Sequence, residues 1–119
     1  MRVEAKTPEE RLPIRQKLLS VVFEAFVNSG LEFMTVDHVF AYVSTLGGWA
    51  DYRRGDEKFN QYIMVEFLRD LGIPPVRILT DSFGTKHHGY YECQIAAKAR
   101  ELCPVPFYEA LRKRRRGRR

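Results

Sequence analysis

Side chains that could hold a polyanion are concentrated at the end of this 119-residue sequence. A run of Arg and Lys residues that binds DNA or RNA would release condensed counterions, which gives an affinity that falls steeply with salt and has no sequence preference. Because like charges repel one another, we expect this tail to be disordered without a partner. A solubilising or localising tail is the alternative. Seven of the last eight residues are positive: Arg112, Lys113, Arg114, Arg115, Arg116, Arg118 and Arg119.

A second set of candidate side chains lies in the middle of the chain, from Arg53 to Val65. Asn60 and Gln61 can pair bidentately with adenine, and Lys58 can bind guanine or phosphate. Val65 falls on the same predicted helical face, and Arg53 with Arg54 could reach phosphates. The alternative is an ordinary solvated helix face, since the acidic residues Glu57, Glu66 and Asp70 share this region.

A third set surrounds a predicted loop tip. Lys86, His87 and His88 form a cationic or nearly cationic point, and Arg77 is close by on the preceding strand. Contact with the phosphate backbone is the function that such a tip would serve on a nucleic acid. Loop tips are polar in most proteins, so this signal alone is weak.

Other chemistries find less support in the residue spacing. His87, His88, Cys93 and Cys103 have the atom types of zinc ligands, but no Cys-x-x-Cys pair is present. We therefore predict no metal and no cofactor, with reduced thiols as the default and a Cys93–Cys103 bridge left open. Adjacent residues on a helix do not face each other, so Asp37 and His38 form no acid–base pair, and an enzyme is not expected.

Composition fits one globular domain, since 45% of the residues are hydrophobic. No apolar run approaches the roughly 20 residues of a membrane span, and the charged N-terminus lacks a signal-peptide pattern. We expect an intracellular protein, cytoplasmic or nuclear if eukaryotic, with no membrane association. The net charge is +5, and subtracting the +7 of the tail leaves −2 for the rest (5 − 7). The tail, rather than the folded surface, accounts for the positive charge.

Hydrophobic periodicity predicts the elements that must position these groups. Helix one begins with a capping pattern at Thr7-Pro8, is interrupted or kinked at Pro13, and ends at Gly30. Helix two begins at Thr35 and ends before Gly47-Gly48. Helix three extends from near Lys58 to Gly72, with Phe59, Ile63, Phe67 and Leu71 facing inward. The same face is widened by Tyr62, Met64 and Leu68.

Alternation of apolar and polar residues predicts a hairpin after helix three. Its strands are separated by a polar loop from Ser82 to Gly89, and Tyr91, Cys93 and Ile95 face inward on the second strand. The following residues, from Ala96 to Leu102, are strong helix formers. Trp49, in the irregular segment between helices two and three, is the aromatic residue we expect on a partner surface.

The order helix, short strand, helix, helix, hairpin resembles the winged-helix superfamily over roughly residues 14–95. The residues that carry this resemblance are Thr35-Val36-Asp37-His38-Val39, Phe67-Leu68-Arg69-Asp70-Leu71-Gly72-Ile73 and Gly89-Tyr90-Tyr91. The connection from Gly47 to Glu57 is longer than the 3–4 residues of a simple helix-turn-helix. The small size and the arginine-rich end also resemble those of regulators from archaea or their viruses.

This resemblance implies an α+β fold: a three-helix winged-helix domain with a two- or three-stranded antiparallel wing, a C-terminal helical segment and the basic tail. The domain would occupy residues 1–103, and residues 104–119 would form the C-terminal segment with its tail. Double-stranded DNA is the implied partner, with helix three in the major groove, and a homodimer is possible. The alternative is a winged-helix protein-interaction module whose tail binds RNA or an acidic protein.

Overall fold

The computed structural model describes residues 8–103, with the side chains of residues 8–11 and 77–79 excepted. The basic tail and the rest of residues 104–119 lie outside the described residues. The described part is an α+β fold with four helices and two small antiparallel sheets, so the predicted class is confirmed at this level. Its elements are α1 (Pro8–Ser29), β1 (Phe33–Thr35), α2 (Val36–Thr45), β2 (Arg53–Arg54), β3 (Glu57–Lys58), α3 (Gln61–Asp70), β4 (Val76–Thr80), β5 (Lys86–Tyr91) and α4 (Glu92–Leu102).

Helix α1 forms the centre of the helical layer. It includes Pro13, so one helix extends across the position where we expected an interruption or a kink. Gly30 ends it in the left-handed conformation, at φ 70°, and donates its N–H to the carbonyl of Phe26 at 2.9 Å. Within residues 8–103, no helix has both the length and the apolar character needed to cross a bilayer.

Polar contacts fix the ends of α2 and α3. The hydroxyl of Thr35 accepts the N–H of His38 at 3.2 Å, which caps α2 as predicted. Helix α3 ends in a Schellman motif, in which Ile73 donates to Leu68 at 2.9 Å and Gly72 adopts φ 89°. Both helix ends were readable from the sequence because these residue types satisfy otherwise unpaired backbone groups.

Helix α1 is tied to the end of α3 by a buried cation. Arg15, 4% exposed, donates from Nε and Nη2 to one carboxylate oxygen of Asp70, at 3.1 and 2.9 Å. Its guanidinium carbon also lies 4.0 Å from the centre of the Phe67 ring. Charge and π-electron density together compensate for removing this guanidinium from water.

The segment between α2 and α3 folds back onto the core. Trp49 is only 8% exposed, and its ring lies 4.9 Å from that of Tyr52 and 5.2 Å from that of Phe59. The expectation of an exposed Trp49 was therefore wrong. This long connection contains the two-stranded β2–β3 sheet, in which Arg53 pairs with Lys58 and Arg54 with Glu57.

The larger sheet has the order β1–β5–β4, with both neighbouring pairs antiparallel. The β4–β5 register shifts between Arg77 and Leu79. Gly89 lies in the middle of the sheet, opposite both Thr35 and Val76. A Cβ atom there would overlap the carbonyl oxygen of Met34, so only glycine lets β1 approach β5 this closely.

The last strand and helix differ from the sequence prediction in register and extent. Strand β5 ends at Tyr91, and Tyr90 rather than Tyr91 points inward, with 0% and 38% of their surfaces exposed. Helix α4 begins at Glu92, where Gln94 Oε1 accepts the N–H of Tyr91 at 3.0 Å. Cys93 therefore lies on a helix and is exposed, not buried in a strand as predicted, and both it and Cys103 are free thiols.

Candidate nucleic-acid interface

The buried face of α3 is the face predicted from the sequence, except at Tyr62. Ile63, Met64, Phe67 and Leu68 are fully buried, which leaves Tyr62 and Arg69 at the centre of the solvent side. The prediction that Tyr62 faces the core was wrong, because this side chain is 70% exposed. Val65, predicted to point outward, is partly buried against the core. The side chains that α3 presents most openly are thus an aromatic phenol and a guanidinium.

The two amide side chains predicted to read bases are engaged within the protein. Asn60 is the N-cap of α3, where its Oδ1 accepts the N–H of Ile63 at 2.9 Å. Gln61 donates from Nε2 to Asp37 Oδ1 at 2.6 Å, which links the start of α3 to the start of α2. Base contact by Asn60 would cost the helix its cap, whereas the exposed Gln61 could exchange partners.

Lys58 does not lie on helix three, because α3 begins after the Asn60 cap. It is the last residue of β3 and pairs with Arg53 of β2, and both side chains are exposed. Directly opposed residues of an antiparallel pair project from the same face. Among the described side chains, no carboxylate pairs with Lys58, and Arg53 makes only a 3.4 Å contact with the carbonyl of Asp56. Two predicted cations are thus brought side by side.

Arg54 lies on the other face of this hairpin and is occupied. Its Nη1 donates to Glu66 of α3 at 2.8 Å and its Nη2 to Glu57 at 3.0 Å. The hydrogen bond to Glu66, followed by that to Glu57, raises the pKa of Arg54 despite the opposing effect of burial. The predicted phosphate contact by Arg54 would therefore require a carboxylate to be displaced.

The β4–β5 hairpin turns more tightly than the sequence suggested. Strand β5 begins at Lys86, so Lys86, His87 and His88 belong to the strand rather than to the tip. The turn is organised by Asp81, whose Oδ1 accepts the N–H groups of Phe83 and Thr85 at 2.9 and 3.0 Å. Its carbonyl accepts the N–H of Gly84 at 3.0 Å, and Gly84 has φ 84°.

Along β5, exposed side chains alternate with one that hydrogen-bonds within the hairpin. Lys86 and His88 are exposed, and their i, i+2 spacing places them on one face of the strand. His87 lies on the other face, where its Nε2 is 3.1 Å from Asp81 Oδ2. This hydrogen bond is the main cause that lowers the pKa of Asp81, and the bonds from Thr85 and Phe83 add to it. Arg77 pairs with His88 across the hairpin, but its side chain lies outside the described residues.

Tyr90 connects the hairpin electrostatically to α3. Burial raises the pKa of its phenol, and the nearby charge of Arg69 partly opposes that shift. Among the described groups, the hydroxyl has no hydrogen-bond partner. Lys86, His88 and Tyr90 alternate along one face of β5, so the two exposed side chains share that face with the buried Tyr90.

Sequence reasoning missed three side chains of this surface: Tyr62, Arg69 and Phe83. Tyr62 and Arg69 are about two helical turns apart, on the side opposite Ile63, Met64, Phe67 and Leu68, and this spacing would have placed both outward. Asp81 and Gly84 are turn residues at a spacing of three, a signal that would have put Phe83 at the tip. Phe83 is 92% exposed.

No protein-family model, curated protein or solved structure matches this chain.

Proposed function

We propose that this chain is a non-enzymatic DNA-binding protein of winged-helix type, a small transcriptional regulator. Helix α3 would enter the major groove, and the β4–β5 hairpin would lie on the phosphate backbone as the wing. The observation that carries the proposal is the chain order α1, β1, α2, β2, β3, α3, β4, β5 combined with the sheet order β1–β5–β4. That arrangement sets a β-hairpin beside a three-helix unit whose third helix has a solvent-exposed face.

In this proposal, some of the base contacts are made by exposed residues of α3 that differ from those predicted from the sequence. Arg69 is a guanidinium donor suited to guanine, and Tyr62 offers an aromatic edge beside it. Gln61 is exposed and can still contact a base if it releases Asp37. Lys58 moves from base reading to phosphate binding, because it stands next to Arg53 on the β2–β3 hairpin.

The tail supplies most of the electrostatic attraction in this proposal. Its charge of +7 exceeds that of the whole chain, +5. Each phosphate that it neutralises would contribute to a steep fall of affinity with salt. Sequence preference must then come from the folded part, since a run of arginines does not discriminate among bases.

A second function has its own support: a winged-helix module that contacts protein, with the tail on RNA or an acidic partner. Arg54 is neutralised by Glu57 and Glu66, and the latter carboxylate is on α3 itself. A groove-binding helix gains nothing from an anion on that side. We rank this function second because Arg69, Lys86 and His88 remain exposed on the adjoining surface.

Salt titrations of duplex binding by the full chain and by a chain lacking residues 112–119 test the proposal. We expect the truncated chain to bind more weakly, with a shallower dependence on salt, and to keep a preference among duplexes that Arg69→Ala relaxes. Loss of all duplex binding on truncation would assign the folded part to protein contact instead. Selection from a random-sequence duplex pool provides the preferred duplexes.

A further inference from the structure

Phe83 is the most exposed large hydrophobic side chain among the described residues. Its exposed fraction is 92%, compared with 71% for Leu46 and 70% for Tyr62. Isolated exposed hydrophobic residues are common and need no function on that ground alone. The surroundings of Phe83 separate it from that ordinary case.

The backbone beneath the ring is fixed by a dense set of hydrogen bonds. Asp81 accepts the N–H of Phe83 itself at 2.9 Å and that of Thr85 at 3.0 Å, through the same carboxylate oxygen. The backbone N–H of Asp81 also donates to the carbonyl of Thr85 at 2.9 Å, and its second carboxylate oxygen is hydrogen-bonded to His87. The ring is therefore presented from a preorganised turn, which lowers the entropy lost on binding.

Charge around the ring selects the kind of partner. Asp81 is the only acidic residue from Val76 to Tyr91, and its carboxylate is occupied by the turn. Lys86 and His88 are exposed on the strand that leaves the tip. One phenyl ring is too small an apolar area to hold a protein or a bilayer by itself, whereas a base stack offers flat apolar faces within a polyanion.

We propose that Phe83 is an apolar wedge that contacts base faces where the β4–β5 hairpin lies on duplex DNA. This proposal rests on the DNA-binding function proposed above. The ring would enter between adjacent base pairs from the minor groove, while Lys86 neutralises a flanking phosphate and His88 donates a hydrogen bond to one. Pyrimidine–purine steps, which unstack most easily, are its expected sites.

The experiment compares the full-length chain with Phe83→Ala, Phe83→Tyr and Lys86→Ala, using Leu46→Ala as the matched loss of an exposed apolar side chain. The probe is a duplex carrying 2-aminopurine at a central TA step, titrated at several salt concentrations. We expect Phe83→Ala to weaken binding about tenfold at every salt concentration, the effect of losing one stacked aromatic, and to remove the change in 2-aminopurine fluorescence. Phe83→Tyr should retain both, and Lys86→Ala should instead reduce the slope against log salt by about 0.9.

Equal affinity and equal fluorescence change for the wild type and Phe83→Ala would overturn the wedge alone. A loss of affinity in Phe83→Ala no larger than that in Leu46→Ala would overturn the wedge as well. Failure of the wild-type chain to bind any duplex would overturn the proposed DNA-binding function, and with it the role of Phe83. Circular dichroism of each variant separates lost contact from lost folding.

Discussion

Arg54 and Glu66 join the β2–β3 hairpin to α3 through a 2.8 Å hydrogen bond between Nη1 and Oε1. The bond holds an unusual connection in place, because the hairpin is inserted between the second and third helices. It also removes a positive charge from the surface beside α3. Position 66 therefore affects both the attachment of the hairpin and the charge on the exposed side of α3.

Glu66→Gln should strengthen DNA binding. The change removes an anion from α3 and loosens Arg54, so we expect affinity to rise severalfold at low salt and the gain to shrink as salt increases. The cost in unfolding free energy should be about 0–1 kcal/mol, because both partners are partly exposed. Fluorescence anisotropy with a labelled duplex measures the first effect and urea denaturation the second.

Glu101→Gln is the matched control for this change. Glu101 pairs with Lys98 at 3.4 Å on α4, so the variant alters the net charge equally and also breaks an ion pair. If Glu66→Gln raised the affinity no more than Glu101→Gln does, net charge rather than the charge on the exposed side of α3 would govern binding.

Lys58→Gln should separate stability from binding. Lys58 and Arg53 are directly opposed cations, and such a pair costs a few tenths of a kcal/mol. We expect the variant to be slightly more stable in urea, while the slope of log affinity against log salt falls by about 0.9 if Lys58 contacts one phosphate. Lys98→Gln, which breaks an attractive pair, should lose stability and leave the slope unchanged. If log affinity depended on log salt with the same slope in Lys58→Gln and Lys98→Gln, Lys58 would not contact a phosphate.

Helix ends of this fold were predictable because they depend on local chemistry. Thr35 caps α2, and Gly30 and Gly72 adopt left-handed conformations that other residues avoid. The start of α3 was not predictable from spacing alone. Phe59 continues the four-residue apolar period backwards, yet it belongs to the aromatic cluster with Trp49 and Tyr52 that precedes the helix.

The hairpin was harder to place because its determinants are non-local. Alternation with Cys93 and Ile95 favoured burial of Tyr91 rather than Tyr90, but Cys93 and Ile95 lie on α4 and not on the strand. The choice is made by the neighbouring strand, since Gly89 must lie where β1 approaches. Of the candidate site, the sequence identified exposed cations such as Arg53 and Lys86, but it could not show which others have carboxylate partners.

Gly89→Ala should be strongly destabilising. The added methyl group would overlap the carbonyl of Met34 and lie 2.8 Å from Cα of Thr35, both in the backbone of β1. We expect a loss of about 2 kcal/mol or more in the free energy of unfolding, measured in urea. At Gly84 a Cβ meets nothing within 4 Å and only the φ of 84° is strained, so Gly84→Ala should cost about 1 kcal/mol. A larger loss of stability in Gly84→Ala than in Gly89→Ala would contradict the close approach of β1 and β5.

The two cysteines should react at different rates with a thiol reagent in the native protein. Cys93 is exposed on α4, whereas Cys103 is 6% exposed. Burial raises the pKa of the Cys103 thiol, although the hydrogen bond with Ser20 opposes this, so less thiolate forms near pH 8. We expect one rapid and one slow thiol by absorbance, with Cys93→Ser removing only the rapid phase. Two rapid phases would show that Cys103 is accessible.

The turn that presents Phe83 should weaken in acid. The hydrogen bond from His87, with those from Thr85 and Phe83, lowers the pKa of Asp81 below its value in the unfolded chain, about 3.9. The unfolded state therefore binds the proton more readily. The contribution of ionised Asp81 to the free energy of unfolding is complete above about pH 3.9 and is lost as the pH falls through the folded pKa. NMR titration of the Asp81 carboxyl group should show its pKa rise toward the ordinary value in His87→Ala. His88→Ala, which removes the neighbouring exposed imidazole, should leave the titration of Asp81 unchanged; an equal rise in both variants would indicate general electrostatics instead of the His87 bond.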